Sequence, residues 1–292
     1  AMAVVWFWVI AWSTYGSEAP ATFAPEYHDT KNDTRIAIAS TGVLNVVLSL
    51  ILPLTVTAIV GYNVILEDPT YIAYLATALN DIVGDSLGKI FTVFVCAGLL
   101  LSMNTATMDG SRALYGMSKE GLTIKWLSEL NRQNVPGRAM ALDMVLNLAL
   151  LFFLPTLLFT LLAGNIGYVV SHIFALSGFL LLRKYRGSWP RPLKLGSAWI
   201  GIAWIVLAAN IVATIFGVAY MQYTGYLIKG DDVLGYRNLA IGIGLGVLAV
   251  AVIGYIVGQK QAGRPFSFRD KSEEQPDPHV YELMGTSAPS GD

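Results

Sequence analysis

Six residues inside one apolar run are of the types that hold a small charged molecule: Trp12, Ser13, Tyr15, Gly16, Ser17 and Glu18. No charge precedes Glu18, and the apolar character resumes through Pro20 and Pro25 until Glu26. The pattern predicts a membrane helix broken midway, because unpaired backbone at membrane depth is tolerated only where protein buries it or where it lines a cavity. In such a break the N–H groups of one half-helix end face an anion, and the carbonyls of the other can take a cation or an ammonium group. Gly16 permits the backbone geometry and a close ligand approach. Trp12 and Tyr15 offer aromatic faces to an apolar side chain or an ammonium, and Ser13 and Ser17 offer hydroxyls. Glu18, a carboxylate within a span, marks a functional position by default, as a proton site, a gate or a partner for freed N–H groups. A kink that serves packing alone is the plain alternative.

Other polar groups have bland readings beside the sharp ones. Ser102, Asn104, Thr105, Thr107 and Asp109 carry oxygens at helical spacing, of the kind hard cations such as sodium accept. Interhelical hydrogen bonds, and an i,i+3 pair of Asp109 with Arg112, account for them equally well. His172, Asn45, Asn147, Asn165 and Asn210 are isolated in apolar runs and read as helix-contact residues. Glu26, His28 and Asp29 read as a solvated loop of mixed charge.

The elements that would position these groups follow from composition. Of 292 residues, 54% are hydrophobic and 13% charged, about half the charged fraction of an ordinary soluble domain (about 25%). Charge is absent from Ala1 to Ser17, Ile36 to Leu66, Ile90 to Met108, Met144 to Leu182, Leu195 to Ile228 and Asn238 to Gln259. Each gap is long enough to span a bilayer, which takes roughly 17 residues or more. The basic residues form no tract, which argues against nucleic-acid binding. Cys96 is the single cysteine, so no intrachain disulfide or multi-cysteine zinc site can form. With no signal peptide before the first apolar run, the chain is expected to start within a longer protein.

Seven spans are expected: the broken one (3–25), then 36–60 with Pro53 inside, 89–113, two between Arg138 and Arg183 joined by a tight turn near Pro155, 196–222, and 239–258. Asp68, Pro69 and an apolar face suggest a surface helix within 61–88. Alternating the spans puts 16 of the 19 Lys and Arg on one side, which predicts a cytoplasmic tail. Residues 1–258 form the membrane domain, and 259–292 read as a disordered polar tail.

With these motifs in order, the chain resembles the amino acid, polyamine and organocation permease superfamily, whose LeuT-type fold has inverted five-helix repeats. The resemblance rests on Trp12-Ser13-x-x-Gly16-x-Glu18 with its charged exit loop, and on Asp109-Gly110-Ser111-Arg112 continuing to Gly121-Leu122 and Val135-Pro136. It aligns the spans with helices six to twelve. The exit loop departs from the family in lacking prolines near Thr30 and Thr34. The resemblance implies an all-α multi-pass membrane protein in which Trp12, Ser13, Tyr15, Gly16 and Ser17 lie at the substrate and Trp12 and Glu18 gate or couple transport. It also implies that Asp68 to Val83 forms an outer lid and that Ser102 and Thr105 lie near a sodium site. The expected function is secondary transport of amino acids or related amines at the plasma membrane, coupled to a proton or sodium ion, with no other cofactor. Helices one to five would be needed to complete the site. A seven-helix receptor is the main rival, disfavoured because an extracellular terminus is expected before its first helix; a retinal protein is disfavoured because the last span has no Lys, and an enzyme because no His/Asp/Glu constellation clusters at one bilayer face. A non-transporting subunit is disfavoured by the broken helix.

Overall fold

A computed structural model of the chain describes residues 2–14, 16–61, 79–153, 157–187, 189, 195–221 and 233–264. Among these residues there are helices and no strands. The first element is short: α1 (Met2–Ile10) passes into a 3-10 turn at Ala11–Thr14, and helix resumes only in the four-residue α2 (Ala19–Thr22) and a second 3-10 turn at Ala24–Glu26. Then come α3 (Thr30–Val60), α4 (Asp85–Lys119), α5 (Gly137–Phe153), α6 (Leu157–Tyr185), α7 (Ala198–Ala219) and α8 (Val233–Gln261). Five of these, α3, α4, α6, α7 and α8, are long and apolar enough to cross a membrane. The other two expected spans correspond to the broken element and to α5, whose 17 residues lie at the lower limit of about 17 for a crossing.

The outward surface is apolar. Leu54, Leu100 and Phe153 each leave more than two thirds of their area exposed, which suits lipid or another apolar partner and is unfavourable in water. Together with the helix lengths, this makes the chain an all-α, multi-pass membrane protein.

Sequence signals set most boundaries. Asp29 caps α3 by accepting a hydrogen bond from the backbone N–H of Asn32 at 3.0 Å. Pro53 lies inside α3, which continues through it. α5 ends at Phe153 and α6 starts at Leu157, on either side of the expected turn near Pro155, which lies outside the described residues. The polar end of the third span is longer than expected: α4 runs through the start of the basic segment to Lys119. It stops where Gly121 takes φ +71°. There the N–H of Leu122 donates to Met117 O at 2.8 Å and that of Gly121 to Ser118 O at 3.1 Å, a closing pattern that satisfies the last carbonyls. The surface helix expected around Asp68 falls mostly on residues 62–78, outside the described set, as does the tail beyond Arg264.

The helices pack in two groups, joined where the end of α8 bonds the segment after α4: Gln259 Nε2 donates to Gly121 O at 3.0 Å and the N–H of Lys125 to Gln261 Oε1 at 2.9 Å. One core joins α1, α6, α7 and α8 through Trp8, Val9, Leu162, Ile166, Ala213 and Ala240. Trp8 lies against Gly217 so closely that a Cβ there would collide with its ring. The second group pairs α4 with α5 and sets α2 against α3 and α4. The two halves of the broken element are thus anchored in different groups, with the break between them.

Candidate functional site

At the break the chain turns rather than continuing as a helix. Gly16 has φ +90°, a conformation costly for any residue with a Cβ. The N–H of Ala19 donates to Gly16 O at 3.1 Å and that of Ala21 to Glu18 O at 2.8 Å. Upstream, α1 ends at Ile10 and leaves the carbonyls of its last turn without α-helical partners. Asn165 on α6 supplies one, donating from Nδ2 to Trp8 O at 2.6 Å in a fully buried contact. Asn45 on α3 serves the 3-10 turn that follows, donating to Thr14 O at 3.2 Å and to Ser17 Oγ at 2.6 Å. Helices on both sides therefore hold the broken backbone through amide side chains, which satisfy carbonyls without adding charge.

A cavity of about 400 Å³ opens beside the break, lined by Ala11, Thr14, Ser17, Glu18, Ile38, Tyr168, Val169, His172 and Asn210. That volume suits a small metabolite. The carboxylate of Glu18 accepts a hydrogen bond from the Tyr168 hydroxyl at 2.7 Å, of the charge-assisted kind worth about 1.5–3 kcal/mol. The Tyr168 and His172 rings meet one helical turn apart, with centroids 4.3 Å apart. Among the described residues, no Lys or Arg lines it. The cavity accordingly favours a group that carries positive charge or donates hydrogen bonds.

Of the residues singled out in the sequence, Gly16, Ser17 and Glu18 are at the turn, and Ser17 and Glu18 line the cavity. Ser13 lies in the 3-10 turn with its hydroxyl returned to Ile10 O at 2.8 Å. The backbone of Trp12 lies in the same turn, while its side chain, and Tyr15 altogether, are outside the described set. Ser102 and Thr105 are exposed on α4 and do not line the cavity; Thr105 donates to Leu101 O of its own helix at 3.0 Å. Tyr168 escapes a reading of the sequence, since one tyrosine in an apolar helix carries no distinguishing pattern. His172, Asn45, Asn147, Asn165 and Asn210 stand out only as isolated polar residues; three of the five touch the break or its cavity, Asn165 holds α1 just upstream, and Asn147 on α5 does not line the cavity.

Past the break, the exit segment is fastened to α4. Thr22 Oγ1 donates to Asp109 Oδ1 at 2.6 Å, Arg112 pairs with Glu26 at 2.6 Å, and the Arg112 guanidinium lies 4.4 Å from the centre of the Phe23 ring. Asp109 and Arg112 thus bond the exit segment, where the sequence offered an i,i+3 pair between them.

Comparison with known proteins identifies the family. The amino acid permease family model matches residues 2–228. The chain is 24% identical over 155 residues to the uncharacterized amino acid permease YvbW of Bacillus subtilis, covering 52% of this chain and 34% of that protein. It is 27% identical over 103 residues to the branched-chain amino acid permease BcaP of Lactococcus lactis, covering 35% of this chain and 22% of that protein. The matched stretches thus span about a third or less of these relatives' lengths. No solved structure matches.

Proposed function

Because the chain belongs to the amino acid permease family, we propose that it is the part of a secondary active transporter that carries the broken helix of the substrate site, moving an amino acid or related amine by alternating access. The observation behind this reading is the turn at Gly16, with φ +90°, beside a cavity whose described lining holds a carboxylate and no basic side chain. Substrate would lie along Trp12, Ser13, Tyr15, Gly16 and Ser17, with its ammonium toward Glu18 and backbone N–H groups of the break toward its carboxylate. Trp12 and Glu18 would gate the site. The anchoring of α1 and α2 in separate packing groups supports a hinge at the break, since relative motion of the groups would open the cavity on one side or the other.

Further helices would complete the site. The apolar stretches of α3 and α4 are 0% and 6% buried, and the relatives are longer than the matched region. The excess of basic residues on one side supports a cytoplasmic tail. For the coupling ion, the carboxylate in the cavity favours a proton, while Ser102 and Thr105 remain the candidates for a sodium site.

The test is uptake of a labelled amino acid panel by vesicles containing the product of the full open reading frame. Gly16→Leu and Glu18→Ala should each abolish uptake with membrane insertion intact, and Trp12→Ala should lower turnover more than insertion. Normal uptake in the Gly16 and Glu18 variants would remove the site assignment.

A further inference from the structure

The two packing groups meet at the break and again, far from it, at the end of α8. α4 stops at Lys119, and the carbonyls just past its end lie beyond the helical ladder. The last turn of α8 and the residues after it supply the missing donors. Gln259 Nε2 donates to Gly121 O at 3.0 Å and Arg264 Nη1 to Glu120 O at 3.1 Å, while Gln261 Oε1 accepts from the N–H of Lys125 at 2.9 Å. All three bonds end on main-chain atoms of residues 120–125, so they fix the course of that segment as well as its place.

Glycine brings the two main chains together there. A Cβ on Gly258 would stand 2.5 Å from Thr123 O, and one on Gly254 would stand 3.1 Å from Thr123 Oγ1. Both glycines and Gln259 are buried. The break is the opposite case: Thr14 and Gly16 are exposed, and a cavity lies beside them. Water can replace the bonds of the break when they part, whereas lifting α8 off Thr123 opens a packed contact and strips the buried amide of Gln259 of its partner.

We propose that the end of α8 and residues 120–125 form a fixed joint, about which the two packing groups turn while the cavity at the break opens and closes. This rests on the transport reading of the break, and adds where the groups stay together. The end of α8 and the segment after α4 then travel as one body, and displacement between the groups grows with distance from them.

The test uses the full-length protein with Cys96 replaced by serine, reconstituted in vesicles. Thr123→Cys with Gly254→Cys places two thiols close enough to bridge, since a disulfide holds its Cβ atoms about 3.5–4.5 Å apart. Oxidised and reduced samples should take up a labelled amino acid at the same rate. A rate that falls on oxidation and returns on reduction would show that the contact opens in each cycle, and would overturn the joint. The converse variant, Gln259→Ala with Gln261→Ala, removes two of the three bonds. Its maximal rate should fall severalfold with KM unchanged, and the oxidised cysteine pair added to it should restore the rate; no restoration would also count against the joint. Amide exchange at Lys125 separates this idea from the transport reading, because it needs no substrate. In nanodiscs that exchange should be severalfold faster in Gln261→Ala than in the wild type, and equal rates would refute the joint whatever the uptake. Slow exchange in a wild-type protein that takes up no amino acid would instead refute the transport reading, with the tie between α8 and residues 120–125 intact.

Discussion

At the scale of single residues, the site is held together by uncharged polar side chains at positions that the backbone itself leaves wanting. Asn165 reaches the carbonyl of Trp8 where α1 ends, and its own Oδ1 is buried with no partner among the described residues. Replacing it with Leu strips the carbonyl of a partner but also removes that orphan oxygen. The expected cost is therefore near the low end of the range for a lost buried hydrogen bond, about 1 kcal/mol, read as a small fall in thermal midpoint in detergent. Asn165→Asp should cost more, because it buries a charge with no cation beside it. Asn45→Ala removes both bonds that α3 makes to the turn, and uptake should fall roughly tenfold, the equivalent of about 1.4 kcal/mol, with expression unchanged. Asp29 gives a pH prediction outside the membrane. The backbone N–H of Asn32, then the Asn32 side chain, hold its carboxyl below the ordinary value of 3.8. A depressed carboxylate stabilises the cap above its unfolded pKa and loses that effect as pH falls through the folded one. The first turn of α3 should therefore keep its helical NMR shifts from neutral pH to about 4 and fray only in stronger acid, whereas in Asp29→Ala it should fray at all pH values.

At the scale of elements, the broken helix is a bridge between two packed groups, and its two ends are fixed differently. The first half is fixed by shape, with Trp8 against Gly217; Gly217→Val should overpack that contact and cost about 1–3 kcal/mol in thermal unfolding. The exit is fixed by polarity, through Glu26 with Arg112 and Thr22 with Asp109. Glu26→Lys should lower uptake severalfold, and adding Arg112→Glu should restore part of it; full recovery is not expected because Arg112 also stacks on Phe23. What the sequence made legible at this scale was the interruption itself, since a Gly followed by a carboxylate is a poor continuation of an apolar membrane helix. The prolines and charge gaps located the boundary between α5 and α6 near Pro155, but put the start of α3 at Ile36 rather than Thr30, because the charged residues 30–35 read as loop. The sequence did not reveal which helix would supply the partners of the break. Tyr168 is 150 residues from Glu18, and no local periodicity encodes so distant a contact. The extension of α4 to Lys119 was likewise hidden, because charge was read as the end of a span, whereas a helix can leave the bilayer and continue until its closing glycine.

At the scale of the whole molecule, α3 and α4 leave their most apolar windows almost entirely unburied, while the core gathers around α1, α6, α7 and α8. The proposed topology puts the residues after Lys260 in the cytoplasm, so a protease added to sealed cells should leave them intact until the membrane is permeabilised. The proposed transport depends most on the turn at Gly16 being where substrate is held. That is tested by replacing the exposed Cys96 with serine, placing a cysteine at Ser17→Cys in the full-length protein, and timing its modification by a membrane-impermeant thiol reagent with and without saturating transported amino acid. Substrate held at the turn should slow the modification several-fold. An unchanged rate, in a protein that is still transporting, would contradict a substrate site there.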